Sequence, residues 1–334
     1  MTHRQVPAPA DHRHAPASAP AHRRAVPFDT RASRSPLFDQ EGISAQNLLI
    51  NKHHYDDAFR KTNIDVLVEE IRDWKNVFAR RSRTFHAWYY LYRDGFGKRL
   101  TNMRVLELGC GDGRNALFMS CMGAHVTAID ISTESPRIIR EVVSRTGLSA
   151  ERTIGIAGDF LDIELAPQSF DFIVGIAFLH HLTHEQEAAY LGKAARLLKA
   201  DGEARFSEPA VNSRALDRLR WLVPVQDRPS VLNRRAFAAW KALDPHPEHD
   251  CSSRHFIEVG RRFFRYAETQ PGGCLERLER FIPHGPTNDW YQVFGRRLEQ
   301  RLPAWCQRVA ARTQLIVFRG PWAAVALEQD PAVC

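Results

Sequence analysis

The chain has 334 residues, 44% hydrophobic and 25% charged, ordinary proportions for a globular protein with a sizeable core. Its 46 Lys+Arg against 39 Asp+Glu leave a net charge of +7, a modest excess with no long basic run, which weighs against a dedicated nucleic-acid binder. The six cysteines include no Cys-x-x-Cys pair, so zinc-ribbon spacing is absent and reduced thiols in the cytoplasm are expected; no apolar run approaches the roughly 20 residues of a membrane span.

Residues 1–42 are rich in Ala, Pro, Arg and His and lack periodicity, so they are expected to be a disordered tail. They contain no hydrophobic stretch of a secretory signal, and Asp11, Asp29, Asp39 and the prolines weigh against a transit peptide. His3, His12, His14 and His22 read as part of a plain tail able at most to pick up adventitious metal. Residues 43–100 are expected to form a helical lid, with helices over 45–60 and 63–93. Asn63 is the expected N-cap, and Ile64, Leu67, Val68, Ile71, Trp74, Val77 and Phe78 recur at amphipathic spacing.

From residue 101 the rhythm alternates. Strands are predicted at Arg104–Leu108, His125–Asp130, Thr153–Gly158, Phe170–Ala177 and Gly202–Ser207. Helices are predicted at Arg114–Met122, Pro136–Arg145 and Glu185–Leu198. Strands separated by helices imply an α/β fold with a doubly wound, mostly parallel sheet over 101–209. Residues 210–310 are irregular and aromatic, holding Trp221, Phe237, Trp240, Phe256, Phe263, Phe264, Tyr266, Trp290, Tyr291 and Trp305; they read as a substrate-binding insertion with a structured loop at Asp244–Asp250. A last strand, Thr313–Phe318, lies in a segment 311–320, followed by a tail 321–334.

The stretch Val105–Asn115 is a strand, a glycine turn and a helix start. Gly109, Gly111 and Gly113 let the backbone bend and approach a ligand with no Cβ in the way. A dinucleotide loop wants G-x-G-x-x-G; here the third glycine comes one residue early and is followed by Arg114. Glu107, two residues before the first glycine, suits an ammonium and not a pyrophosphate. S-adenosylmethionine (SAM) carries such an ammonium and no phosphate. Asp130, at the end of the second strand, is placed to accept both ribose hydroxyls. Asp159-Phe160 follows the third strand, an acid and an aromatic suited to an adenine.

Taken together, Glu107-Leu-Gly-Cys-Gly-Asp-Gly113, Val126–Ser132, Gly158-Asp-Phe160, Phe170–Val174 and Leu197–Gly202 resemble the class I SAM-dependent methyltransferases. The resemblance covers residues 100–209 well and the flanks loosely. It implies a seven-stranded Rossmann-like sheet with an N-terminal helical lid and an insertion after the fifth strand. It also implies SAM as cofactor, held by Glu107, Gly109, Cys110, Gly111, Gly113, Asp130, Ile131, Asp159, Phe160 and Ala177. His180, His181 and Glu208, after the fourth and fifth strands, are the catalytic candidates. His53, His54 and Tyr55 lie in the lid. Gly175-Ile-Ala-Phe178 stands where nucleobase amino-methylases carry Asn/Asp-Pro-Pro-Tyr/Phe, which argues against that chemistry. No metal cluster is expected at the cleft.

The expected activity is methyl transfer to an O, N or C nucleophile of a small molecule, a secondary metabolite, lipid or sugar. Two alternatives stay open: a SAM cyclase that releases methylthioadenosine, and a noncatalytic SAM- or RNA-binding module. The oligomeric state is not legible.

Overall fold

The structure, a computed structural model, describes residues 38–224, 228–242, 249–282 and 285–322. Most of both expected tails, and the expected loop Asp244–Asp250 apart from His249 and Asp250, lie outside these. Residues 38–42, expected in the tail, are instead the start of helix α1 (Phe38–Phe59). The predicted helix over 63–93 is three helices: α2 (Ile64–Arg72), α3 (Trp74–Thr84) and α4 (His86–Leu91). Asp73 leaves helical geometry at φ −103°, ψ 33°, and Phe85 is extended, so the amphipathic period runs on while the axis breaks. Asn63 is the N-cap, its side chain accepting from Val66 N–H.

The alternating core follows. It runs β1 (Arg104–Leu108), α5 (Arg114–Cys121), β2 (His125–Asp130), α6 (Glu134–Thr146), β3 (Thr153–Ala157), β4 (Phe170–Ile176), α7 (His184–Leu197) and β5 (Leu198–Pro209). Beyond it come α8 (Arg214–Leu222), α9 (Arg234–Lys241), α10 (Ser253–Gly260), β6 (Phe264–Gly272), α11 (Pro286–Glu299), α12 (Ala304–Ala310) and β7 (Thr313–Pro321). The sheet order is β3-β2-β1-β4-β5-β7-β6; β1 to β5 pair in parallel and β7 is antiparallel to both neighbours. The seven-stranded, mostly parallel α/β sheet is therefore present.

Strand β6 was not foreseen and lies inside the predicted insertion. Its sequence, FRYAETQPG, alternates weakly and contains Pro271, which suits the sheet edge it occupies. The insertion is thus split. One part, α8 and α9, follows β5; the other, α11 and α12, lies between β6 and β7.

Side chains alternate across the sheet and feed two cores. Val105, Val126, Phe172 and Val174 face α2, α5 and α6, packing on Leu67, Phe118, Ile139 and Val142. Leu106, Ile173, Ala204, Phe206 and Phe318 face α7 and α10, packing on Tyr190, Leu191 and Phe256. Of the insertion's aromatics, Phe256 and Phe264 lie in this core, whereas Tyr266, Trp290 and Trp305 are exposed. Helix α10 approaches the sheet at Gly260, where a Cβ would stand 2.1 Å from Phe318 Cε1. Gly260→Ala is expected to force the ring or the helix aside and cost about 1–3 kcal/mol, read as a lower midpoint in thermal or urea unfolding.

The strand order switches sides between β1 and β4, and sheets of this kind bind ligands at the carboxyl ends of the strands beside such a switch. The glycine loop after β1 and the turn after β4 meet there.

Candidate active site

After β1 the chain takes three left-handed glycines, at φ 66°, 58° and 75° for Gly109, Gly111 and Gly113. At Gly109 a Cβ would lie 2.4 Å from the Phe178 ring, so this glycine lets the two strand-end turns meet. Gly113 starts α5 and has Ile139 pressed against it. Gly111 faces the ring of Phe59 at the end of α1, where an added Cβ would stand 3.4 Å from Cζ. Cys110 is buried within the turn.

Glu107 is buried at the loop's base. Asn115 Nδ2 donates to its Oε1 at 2.8 Å, and Tyr92 OH donates to Asn115 Oδ1 at 2.7 Å. The other oxygen, Oε2, is buried without a hydrogen-bond partner. Burial pushes the Glu107 carboxyl up to about 8; the Asn115 bond opposes this, and the neighbouring Asp112 and Asp130 add to it. A buried acid with one unused acceptor is a site built for a cation or donor not contributed by the protein.

Asp130 ends β2. Gly111 N–H donates to its Oδ2 at 2.7 Å and Ser132 N–H to its Oδ1 at 2.9 Å. Burial still pushes its carboxyl up to about 6 against those two bonds, with Asp56 and Asp112 adding to the rise. Each oxygen keeps a lone pair for further donors. Ile131 lies between Asp130 and Ser132 just past the end of β2.

Asp159 and Phe160 sit differently from expectation. Leu161 N–H donates to Asp159 Oδ1 at 2.9 Å, and Tyr190 OH donates to the same oxygen. The Phe160 ring is 2% exposed and packs edge-on to Tyr190 in the core, so it has no open face to offer an adenine. Lys193 holds this loop through the carbonyls of Phe160, Leu161 and Ile163 at 2.6, 2.9 and 2.6 Å.

Ala177, exposed at the end of β4, has φ 51°, a left-handed strain for a residue with a Cβ. The next residues turn toward Glu208. Phe178 N–H and Leu179 N–H both donate to Glu208 Oε1 at 2.8 Å, and His180 Nδ1 lies 2.8 Å from Oε2. Glu208, a catalytic candidate from the sequence, is 1% exposed and serves as a buried strut beneath this turn. His181 lies beside His180, its Nε2 3.4 Å from Tyr55 OH of α1.

Sequence reasoning missed the residue that fixes the lid. Asp56 on α1 accepts from Ser132 Oγ at 2.6 Å, Thr133 N–H at 2.9 Å and Lys52 Nζ at 2.9 Å. Its burial alone would raise the carboxyl; these partners outweigh it and hold the group at about 2. No local pattern announces a contact across so long a separation, although Asn115 could have been read from its place in the first turn of α5. Asp56→Ala is expected to strand the Ser132 and Thr133 donors and cost about 1–3 kcal/mol, with faster amide exchange along α1 than in the core. A groove lined by Trp74, Phe78, Tyr89 and Met122 lies at the opposite end of α5 from the loop and shares no residue with it.

A family model described as a methyltransferase domain matches residues 105–202, which run from the glycine loop to the start of β5. Residues 105–202 thus match a methyltransferase domain and supply β1 to β4 and the start of β5 of the seven-stranded sheet. The chain is 30% identical over 146 residues to a ubiquinone biosynthesis O-methyltransferase of Xylella fastidiosa, covering 43% of this chain and 57% of that one. It is 34% identical over 114 residues to the Actinobacillus pleuropneumoniae protein of the same name, covering 34% and 46%. The chain therefore spans about half the length of the curated relatives it matches. Among solved structures, phosphoethanolamine N-methyltransferase 2 of Haemonchus contortus superposes with a TM-score of 0.43 at 15% identity, over 78% of this chain and 60% of that one.

SAM is the cofactor of this methyltransferase domain, and the residues fit it. The unused Glu107 oxygen suits its ammonium and Asp130 its ribose.

Proposed function

We propose that the chain is an enzyme that transfers a methyl group from SAM to a hydroxyl of a small molecule, releasing S-adenosylhomocysteine. One observation carries this reading: Glu208 receives two backbone donors on one oxygen and His180 Nδ1 on the other. A carboxylate that holds Nδ1–H leaves Nε2 of the same imidazole as a proton acceptor. A hydroxyl is a poor nucleophile toward a sulfonium until its proton is drawn off, so a positioned base supplies what this acceptor requires. The curated relatives, named as O-methyltransferases, agree with an oxygen acceptor.

In this reading SAM supplies the methyl group when bound. Glu107 and Asp130 hold its two ends, Asp56 keeps α1 closed over the β2–α6 turn, and His180 takes the acceptor's proton. His181 and Tyr55 form the wall between the lid and the base. The helices α8 and α9, joined by Trp221, Phe237 and Trp240 with ring centroids 5.3–5.8 Å apart, select the acceptor. Among the described residues no helix is long and apolar enough to cross a membrane.

The test is incubation of the full chain with SAM labelled on its methyl group and extracts of its own host, followed by mass spectrometry. S-adenosylhomocysteine and a labelled methyl ether support the proposal. Methylthioadenosine as the leaving product, or label on carbon or nitrogen, would overturn it.

A further inference from the structure

We propose a zinc site built from His184, Glu187, His249 and His255. Sequence spacing gave no sign of it, because its two halves lie on α7 and on the segment entering α10, far apart in the chain. Folding brings one donor atom of each residue within 4.8 Å of the others. His255 Nε2 lies 2.6 Å from Glu187 Oε2, His249 Nε2 3.3 Å and His184 Nδ1 3.9 Å from the same oxygen. The three imidazole centroids are 5.1, 5.1 and 5.2 Å apart, so the rings surround a common point.

The burial argues for a ligand and against a simple ionic cluster. The Glu187 side chain is 0% exposed and the His249 side chain 2%. Glu187 Oε1 is buried with no hydrogen-bond partner, and His249 Nε2, also buried, stands 3.3 Å from Oε2 without hydrogen-bonding geometry. All three imidazoles crowd the single oxygen Oε2 while Oε1 has none, and a buried polar atom without a partner is costly. A divalent cation at the common point would engage the donors at once. Three nitrogens and one oxygen suit zinc, which binds imidazole and carboxylate at about 2.0–2.2 Å in tetrahedral geometry, whereas magnesium and calcium call for oxygen. Cys251 Sγ lies 3.9 Å from His249 Nδ1, orienting the ring with Nε2 turned to the site. His184, with its side chain 54% exposed, leaves an entry path.

Four protein donors close the coordination shell, the arrangement of a structural and not a catalytic zinc. The metal joins the N-terminus of α7, just past the His180–His181 turn, to the segment that returns into the sheet after α8 and α9. It staples the acceptor-side segment to the core.

The test is metal analysis of the untagged full chain, stripped with a chelator, reloaded with Zn²⁺ and desalted. About one zinc per chain is expected, together with a higher unfolding temperature than the stripped protein. The same amount should stay on a variant with His3, His12, His14 and His22 all changed to Ala, which removes the adventitious donors of the tail. It should fall at least tenfold in the His249→Ala/His255→Ala double variant. Glu187→Gln, which keeps side-chain volume, covers the case in which the double variant fails to fold, and should also lose the metal. Cobalt in place of zinc should give the strong visible absorption of a tetrahedral centre. A reloaded wild-type chain that holds no zinc, or a Glu187→Gln chain that holds as much as wild type, would overturn the proposal.

Discussion

Binding of SAM below pH 8 is expected to release about one proton, and Glu107→Gln to remove most of that release. Burial keeps the Glu107 carboxyl protonated up to about 8 in the ligand-free chain, so near neutrality it meets the cofactor as a neutral acid. An ammonium placed against its unused oxygen favours the carboxylate, and the proton leaves as the ligand arrives. Affinity should therefore climb as pH rises toward 8 and level off above it. Glu107→Gln keeps the shape and the Asn115 bond but loses the charge. A charge-assisted hydrogen bond of about 1.5–3 kcal/mol then disappears, a roughly 10- to 150-fold loss in affinity. Calorimetry in buffers of different ionisation enthalpy reads both quantities. Asp130, raised to about 6, leaves a smaller residual linkage in the variant. Proton-neutral binding by wild type between pH 6 and 8 would sink this account.

The same acid has a stability consequence of opposite sign. Between its ordinary 4.5 and the folded value of about 8, Glu107 binds a proton in the folded chain and not in the unfolded one. The ligand-free protein therefore loses stability as pH rises through that window, by on the order of a few kcal/mol. Glu107→Gln should melt higher than wild type at the alkaline end while binding SAM more weakly. This is the signature of a group kept for function at a cost in stability.

Why these residues were legible, and others not, follows from the range of the interaction. The glycine turn, Glu107 and Asp130 sit at strand ends, and a period switching from two to 3.6 marks each strand end in the local sequence. The catalytic candidates His180 and Glu208 were legible for the same reason, but their roles were not. That Glu208 is a buried strut depends on the β4–β5 pairing, where Ile176 sits beside Ser207 and carries the next residues over Glu208. Phe160 shows the converse. Its position after β3 was plain, yet Tyr190 and Lys193 from α7 decide that its ring is buried. Strand β6 escaped because an edge strand buries too little to impose alternation. Asp56 and the His–Glu cluster escaped because each is assembled from segments that meet only in the folded chain.

His180→Gln and Glu208→Gln are expected to lower kcat by about 10²- to 10⁴-fold while leaving the SAM dissociation constant within a few-fold of wild type. The two losses have different origins. His180→Gln leaves no imidazole to take the acceptor's proton. In Glu208→Gln the new amide can still accept from Phe178 and Leu179 through its carbonyl oxygen, so the turn keeps its shape. The amide nitrogen, however, faces Nδ1 as a donor, and the ring must then carry its proton on Nε2, the atom needed as base. In the proposed mechanism Glu208 is thus a positioning residue acting through His180. Three readouts separate this from a merely structural role. KM for the acceptor should change far less than kcat. Added imidazole should restore part of the rate to His180→Ala but none to Glu208→Gln. The double variant should be no slower than the worse of the two singles, because both remove one proton transfer. Multiplicative losses in the double variant, or a Glu208→Gln enzyme with full kcat, would show that the pair does not act as a unit and that the hydroxyl loses its proton elsewhere.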